Sequence, residues 1–284
     1  MSVGVRRPPT NAAIGLVRTC HPIPTVGVTV FAAALGWAAG NGVTTCVLLA
    51  LAVLCGQVTI GWSNDLLDRD ADALVGRQDK PVALGVVSPR TLAWAITVAA
   101  IACVGFSFSL GWRAGLVHLF AVGCGWAYNL WLKGTWASAV PYAVAFGALP
   151  CVATLALPVA RWPGAWVVGA GALLGIAANL TNAVPDLERD SVAGFRGLAS
   201  RLGAYPSVVI SAVLLVAAAA CIAFGPAGPP SVAGWTGFAL SAVIAAVAVP
   251  ALRRTAGSRV PFYGLMALVP IDIAMILIDN HHLR

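Results

Sequence analysis

Carboxylates in this sequence are concentrated in two short segments, which hold eight of the ten acidic residues. They are Asp65, Asp68, Asp70, Asp72 and Asp79 in the first segment, and Asp186, Glu188 and Asp190 in the second. Like charges at this density repel one another, and such an arrangement is stable mainly where cations lie between them. The two segments therefore indicate a site that holds cations.

An internal repeat relates the two segments, with a constant offset of 118 residues and six identities over 22 positions. The identical pairs are Asn64 and Asn182, Asp68 and Asp186, Asp72 and Asp190, Gly76 and Gly194, Leu84 and Leu202, and Gly85 and Gly203. Both copies contain N-x-x-x-D-x-x-x-D, which places three oxygen-bearing side chains on one stripe of a helix. The offset implies two four-helix repeats, and repeat interfaces commonly hold the site in membrane proteins.

Basic residues follow each stripe: Arg77 and Lys80 after the first, Arg196 and Arg201 after the second. Mg²⁺ suits the stripes, because it binds a few carboxylates and completes its octahedron with water and phosphate oxygens. Acidic groups for a metal beside basic groups for anionic oxygens are what a diphosphate requires. The sequence thus predicts a magnesium and diphosphate site.

Membrane helices must position these residues. The 284-residue chain is 60% hydrophobic and 10% charged, with a mean hydropathy of +0.88, which excludes a soluble enzyme, a disordered chain and a single-span anchor. We predict an all-α polytopic protein, a single domain over 1–284, with 1–20 flexible or interfacial. The nine predicted helices are 22–39, 43–63, 91–112, 114–132, 137–157, 163–184, 206–224, 231–250 and 261–279.

The distribution of charge predicts the orientation in the membrane. With the N-terminus in the cytoplasm, 14 of the 17 basic residues and both acidic segments fall on that side, leaving only Arg113, Arg161 and Arg284 outside. The C-terminus is then outside. The basic residues form no cluster on a soluble face, so we expect no nucleic-acid partner. We interpret the seven scattered cysteines as reduced side chains that pack in the apolar core. The Ala, Val, Gly and Arg content is typical of a high-GC bacterial gene, which favours the plasma membrane.

These paired motifs in a nine-helix chain resemble the UbiA superfamily of intramembrane prenyltransferases, over nearly the whole length. The resemblance implies a helical bundle around a central cavity, with the two Asp-rich connections as a cytoplasmic cap. It implies that Mg²⁺ and the diphosphate of an isoprenoid donor are held by Asn64, Asp68, Asp72, Asp186 and Asp190, with Asp65 and Asn182 in support. Asp68, Asp72, Asp186 and Asp190 are then the catalytic carboxylates, and Arg77, Lys80, Arg196 and Arg201 bind the donor.

The chain departs from the family pattern at three places. Lys80-Pro81 stands where many relatives have Arg-Pro, and Arg196-Gly197-Leu198-Ala199 replaces a Lys-Thr-Leu-Pro-like stretch. Relatives often show Tyr followed four residues later by Lys; here Tyr128 and Lys133 are five apart, and both are carried over as substrate-binding residues.

By resemblance, the predicted activity is Mg²⁺-dependent transfer of a polyprenyl group to a small, aromatic acceptor, with release of pyrophosphate. Terpene cyclisation and phosphoribosyl transfer to a polyprenyl phosphate remain alternatives within the same fold, and a transporter is the alternative from another class. Asp65, Asp272 and the released diphosphate are all candidates for the base that removes the acceptor proton. The sequence leaves the acceptor, the chain length and the oligomeric state open.

Overall fold

The computed structural model describes residues 12–187, 194, 196–254, 268–279 and 283. Every regular element within these ranges is helical. The α-helices are α1 (Ala12–Thr19), α2 (Pro22–Ala38), α3 (Val43–Leu74), α4 (Pro89–Ser109), α5 (Trp112–Ala127), α6 (Ala139–Leu155), α7 (Ala165–Ala183), α8 (Leu198–Leu202), α9 (Ala204–Phe224), α10 (Val232–Arg254) and α11 (Leu268–Asp279). A π-helical turn (Tyr128–Leu132) follows α5, and a 3₁₀ turn (Val184–Asp186) follows α7.

A helix occupies each of the nine predicted apolar segments, with the last described only from Leu268. Five helices in the described part of the chain are long and apolar enough to cross a membrane, and the pair α1 and α2, bent by 61°, passes the same test as one unit. The five are Val43–Leu74, Pro89–Ser109, Ala165–Asp186, Ala204–Phe224 and Val232–Pro250. The all-α multi-pass class is therefore confirmed, while nine spans, two structural repeats and the orientation stay predictions.

The boundary of the second predicted helix is wrong, because α3 continues from Val43 to Leu74 instead of ending at residue 63. Hydropathy falls after Ser63, but Leu, Ala and Arg in the following segment favour a helix and carry it beyond the apolar part. The chain turns only at Gly76, whose φ of +69° suits glycine. The first acidic stripe is consequently mounted on a 32-residue helix.

Packing closes the helices into a ring. Helices α2 to α7 each pack against the next, α7 packs against α9, and α9, α10 and α11 follow in order until α11 returns to α2. Helices α6 and α7 approach most closely through glycines, since a Cβ at Gly175 would lie 2.3 Å from the backbone oxygen of Tyr142. Small residues permit this approach of two helix backbones in a membrane protein.

Part of the N-terminal segment that we expected to be flexible or interfacial is a docked helix. The indole of Trp62 on α3 donates a hydrogen bond to the backbone oxygen of Leu16 at 2.9 Å. Gly15 is buried against the 80–87 loop, where an added Cβ would lie 2.6 Å from Val87. Helix α1 is thus fixed against α3 and this loop.

Candidate active site

A cavity of about 480 Å³ opens between α3, α6, α7, the π-helical turn and the corner between α1 and α2. Nine predicted site residues lie on its wall: Asn64, Asp68, Asp72, Arg77, Lys80, Tyr128, Lys133, Asn182 and Asp186. Positions from both halves of the sequence repeat therefore meet in one cavity.

The first acidic stripe is supported by a cation from the opposite wall. Asn64 donates a hydrogen bond from Nδ2 to Asp68 Oδ2 at 3.1 Å, and Lys133 Nζ donates to Asp68 Oδ1. One turn further along α3, Asp72 Oδ2 is buried without a hydrogen-bond partner among the described residues. A buried carboxylate oxygen with no donor is costly unless a cation or another donor reaches it.

Asn129, in the π-helical turn, braces this stripe. Its Nδ2 donates to the backbone oxygen of Ile60 at 2.8 Å and to the hydroxyl of Ser63 at 2.9 Å, while its Oδ1 lies 3.5 Å from Asn64 Nδ2. These contacts hold the end of α5 against α3 and bring Lys133, four residues later, to Asp68. Widened helical turns of this kind are frequent at functional sites.

Asp186, the first carboxylate of the second acidic segment, does not lie on α7, contrary to the single-stripe prediction. Helix α7 ends at Ala183, and Asp186 lies in the 3₁₀ turn that contains Pro185. A proline inside a helix removes a backbone hydrogen bond and clashes with the preceding turn, which accounts for the change. Asp186 lines the cavity with a side chain 34% exposed, and the predicted ligand Asp190 lies outside the described residues.

Arg77 connects the two acidic segments. It donates from Nε and Nη2 to the two carboxylate oxygens of Asp79 at 2.9 and 2.8 Å, and its Nη1 lies 3.3 Å from Asp186 Oδ1. The paired hydrogen bonds from the guanidinium lower the pKa of Asp79 to about 2. The loop after the first stripe is thereby tied to the second.

Lys80, which the sequence predicts to bind the diphosphate, forms an ion pair with a buried carboxylate of the protein. Its ammonium donates to Asp65 Oδ1 at 2.5 Å, and both side chains are buried. Nε2 of His21, at the start of α2, lies 3.0 Å from the same oxygen. Lys80 still borders the cavity, but its charge is largely balanced by Asp65.

Aromatic side chains form the wall deeper in the cavity. The rings of Tyr128 and Tyr142 meet edge to face at 5.1 Å, and Tyr142 stacks with Phe146 at 6.5 Å between ring centres. The hydroxyl of Tyr142 is hydrogen-bonded to Asn182. Close packing at Gly175 fixes the backbone of Tyr142 and orients this wall. An apolar, electron-rich surface thus adjoins the polar mouth.

Residues 24–261 match the model of the UbiA prenyltransferase family, which is more than half of the chain. The chain belongs to the UbiA prenyltransferase family. The resemblance seen in the sequence is confirmed by this match. No curated protein matches the chain.

Solved structures share the fold of this UbiA family member. A UbiA homologue from Archaeoglobus fulgidus bound to GPP and Mg²⁺ superposes with a TM-score of 0.70 at 15% identity, covering 93% of this chain and 98% of that one. The apo structure of a UbiA homologue from Aeropyrum pernix K1 gives 0.69 at 16% identity, covering 95% and 99%. A digeranylgeranylglyceryl phosphate synthase structure gives 0.67 at 11% identity, covering 96% and 98%.

Three residues singled out in the sequence lie away from the cavity wall of this UbiA chain. Arg196 and Arg201 are exposed, and Arg201 donates from Nε to the backbone oxygen of Arg196 at 2.9 Å. The candidate base Asp272 is fully buried in α11, and neither of its carboxylate oxygens has a partner among the described residues. The structure therefore does not bring these three side chains to the acidic stripes.

Sequence reasoning missed His21 and Tyr142. Both contact residues 40 or more positions later in the chain, Asp65 and Asn182 respectively. The one local signal for His21 was its position directly before Pro22, the first residue of the apolar helix α2.

Proposed function

We propose that this protein transfers a polyprenyl group from its diphosphate to a small aromatic acceptor, with Mg²⁺ at the cavity mouth and pyrophosphate as the other product. The observation that carries the proposal is that a polar surface and an aromatic surface line the same cavity. Carboxylate and amide oxygens from both halves of the repeat line its mouth, and an aromatic wall lies behind them.

The residues at the mouth fit Mg²⁺. Asp72 presents a buried carboxylate oxygen that has no donor within the described ranges, and Asp68, Asp186 and Asn64 supply further hard oxygens on the same cavity. Mg²⁺ takes one or two carboxylates and completes its shell with water and substrate phosphates, so these few oxygens are sufficient. We assign Asp68, Asp72, Asp186, Asp190 and Asn64 to this role.

The bound metal would draw charge from the departing diphosphate. Arg77 and Lys133 lie beside the carboxylates with partly buried side chains, so their charges are poorly screened and reach diphosphate oxygens at the mouth. The face of Tyr128 or Phe146 would stabilise the allylic cation that forms at C1. An apolar interior keeps water from that cation until the acceptor attacks.

Structural relatives support the donor class. The homologue from Archaeoglobus fulgidus is described with GPP and Mg²⁺, and in a second structure with DMAPP and Mg²⁺. A polar side of the cavity, with His21, Thr25 and Gln57, favours transfer to an acceptor over cyclisation of the donor.

The decisive experiment is pyrophosphate release from geranyl and longer prenyl diphosphates by the purified protein with Mg²⁺. Each donor is tested with and without a panel of hydroxylated aromatic acceptors, and Asp68→Asn is the blank. We expect release that depends on an acceptor and a prenylated product of matching mass. Acceptor-independent release would instead identify a cyclase or a hydrolase, and no release from any donor would overturn the proposal.

We also propose a multi-pass location in a bacterial plasma membrane with the cavity mouth on the cytoplasmic side. Gln78 is exposed beside Asp79 in the loop after the first stripe. In a chain freed of its seven native cysteines, Gln78→Cys should react with an impermeant thiol reagent from the cytoplasmic face only. Labelling from the outer face of intact cells would reverse the orientation.

A further inference from the structure

The corner between α1 and α2 places a histidine on the cavity wall in an uncommon backbone conformation. His21 has φ 53° and ψ 69°, in the left-handed region that residues other than glycine rarely adopt. The corner is held against α3, because a Cβ at Gly61 would lie only 2.8 Å from the backbone oxygen of Cys20. The hydroxyl of Thr25 donates to that same oxygen at 2.7 Å. Strain of this kind persists where the surroundings fix it, and it is concentrated at functional sites.

The contacts of His21 define which ring nitrogen carries the proton. Its Nε2 lies 3.0 Å from Asp65 Oδ1, a distance at which a carboxylate oxygen and a nitrogen lone pair would repel each other. With the hydrogen placed on Nε2, the ring donates to Asp65, and the Lys80 ammonium, 3.3 Å from Nε2, donates to the same carboxylate oxygen. In the neutral ring the lone pair is then on Nδ1, for which the described chain provides no hydrogen-bond partner. The side chain is 40% exposed and borders the cavity.

Asp65 itself is poorly placed to accept a proton from a substrate. Its side chain is 2% exposed, and Oδ1 already accepts hydrogen bonds from both His21 and Lys80. The pair of Lys80 and Asp65 thus fixes the orientation of the imidazole ring at the cavity wall.

The depth of His21 in the cavity matches the reacting carbon of a prenyl donor. Its partner Asp65 precedes Asp68 by three residues on α3, which corresponds to about 4.5 Å along the helix axis. Gly61, at the level of the corner, is one further turn inside. If the diphosphate lies at Asp68 and Asp72, the first carbon of the donor lies just inside them, near the level of His21.

We propose that His21 is the catalytic base of the transfer, removing the proton that the acceptor loses, and that Asp65 and Lys80 are its positioning residues. This inference rests on the proposed prenyl transfer. The C1 to oxygen bond of the donor breaks, and its electron pair leaves with the diphosphate. An electron pair of the hydroxylated aromatic acceptor forms the new bond to C1, and the acceptor proton passes to Nδ1 of His21.

Two substitutions test this role. His21→Asn tolerates the left-handed conformation but cannot accept a proton, and its shorter amide ends at the level of Nδ1 and falls short of Asp65. His21→Gly also tolerates the conformation and leaves space for an added imidazole. We expect both variants to bind geranyl diphosphate with Mg²⁺ as the wild type does, while acceptor-dependent transfer falls about 10²- to 10⁴-fold.

Rescue separates a base from a structural support. Added imidazole should restore transfer in His21→Gly but not in His21→Asn, and a series of substituted imidazoles should rescue in order of basicity. Transfer within threefold of wild type in His21→Asn would overturn the inference, as would loss of donor binding or rescue that ignores basicity. If the wild type itself transfers to no acceptor, the proposed function fails first, whereas an active wild type with active variants refutes the role of His21 alone.

Discussion

The two acidic segments are related in sequence and built differently in structure. The first is mounted on one continuous helix, where Lys133 neutralises Asp68 and Asn129 braces Asn64. The second lies at a helix end broken by Pro185, with Asp186 one-third exposed and contacted by Arg77 at 3.3 Å. Equivalent residues of the repeat therefore have unequal support.

Because of this difference, we expect the carboxylates of the two segments to have different roles in the site. A carboxylate on a braced helix keeps its position whether or not a ligand is bound. A carboxylate in a short turn can adjust to a metal and a phosphate that arrive together, because fewer backbone hydrogen bonds restrain it. We expect the first segment to set the location of the site and Asp186 to adjust to the bound substrate.

Removal of either carboxylate should produce the largest effects. Asp68→Asn and Asp186→Asn should each lower turnover about 10²- to 10³-fold, because charge on the leaving diphosphate is no longer balanced. The unequal support predicts a second difference. Asp68→Asn should lower the Tm in detergent by more than Asp186→Asn, since it removes an ion pair between two partly buried side chains. Either variant retaining more than a tenth of the activity would count against its role.

Replacement of Pro185 should make the second segment resemble the first. In Pro185→Ala the missing backbone N–H is restored, so α7 can continue through Asp186 and move its carboxylate. We expect kcat to fall about 10-fold with the protein folded and inserted, as measured by turnover alongside the thermal transition. Pro158→Ala, in the exposed loop before α7, is the matched control. Equal activity in both variants would show that the break has no role.

The smallest effect concerns the link between the segments at low pH. Arg77 lowers the pKa of Asp79 from 3.8 to about 2, so the pair stabilises the fold above about pH 4 and loses this contribution as the pH falls toward 2. Because Asp79 is 60% exposed, Arg77→Ala should lower the Tm by only about 1 to 2 °C near pH 6. The difference in Tm between wild type and Arg77→Ala should shrink below pH 4, and the Tm of Arg77→Lys should lie between the two. A difference in Tm that grows as the pH falls would contradict the pairing of Arg77 with an ionised Asp79.

The sequence was sufficient for the fold class and for the acidic face of the site. Hydropathy predicted apolar segments that all contain helices, and repeated Asn and Asp residues marked the cavity mouth, because both signals are local and periodic. Hydropathy alone ended the second span at residue 63, whereas the helical stripe of Asn64, Asp68 and Asp72 already required a longer helix, as α3 is. The same stripe reading failed in the second copy, where Pro185 was the available signal for the break before Asp186.

Basic residues were harder to assign than acidic ones. Counting cations near the stripes selected Lys80, Arg196 and Arg201 alongside Arg77, and the family resemblance added Lys133, yet their partners depend on tertiary packing. Lys80 is paired with the buried Asp65, and the two later arginines lie exposed beyond the cavity wall. Sequence proximity does not distinguish a cation that faces a cavity from one that faces a neighbouring loop.

Docking of the N-terminal helix also bears on how the protein is made. Helix α1 rests on Trp62 and on the loop that ends with Val87, so its resting place does not exist until those residues have been synthesised. Helix α1 must therefore wait for some seventy residues of later chain before it can dock. During biogenesis, the corner between α1 and α2 is completed only after α3 and the 80–87 loop have been synthesised.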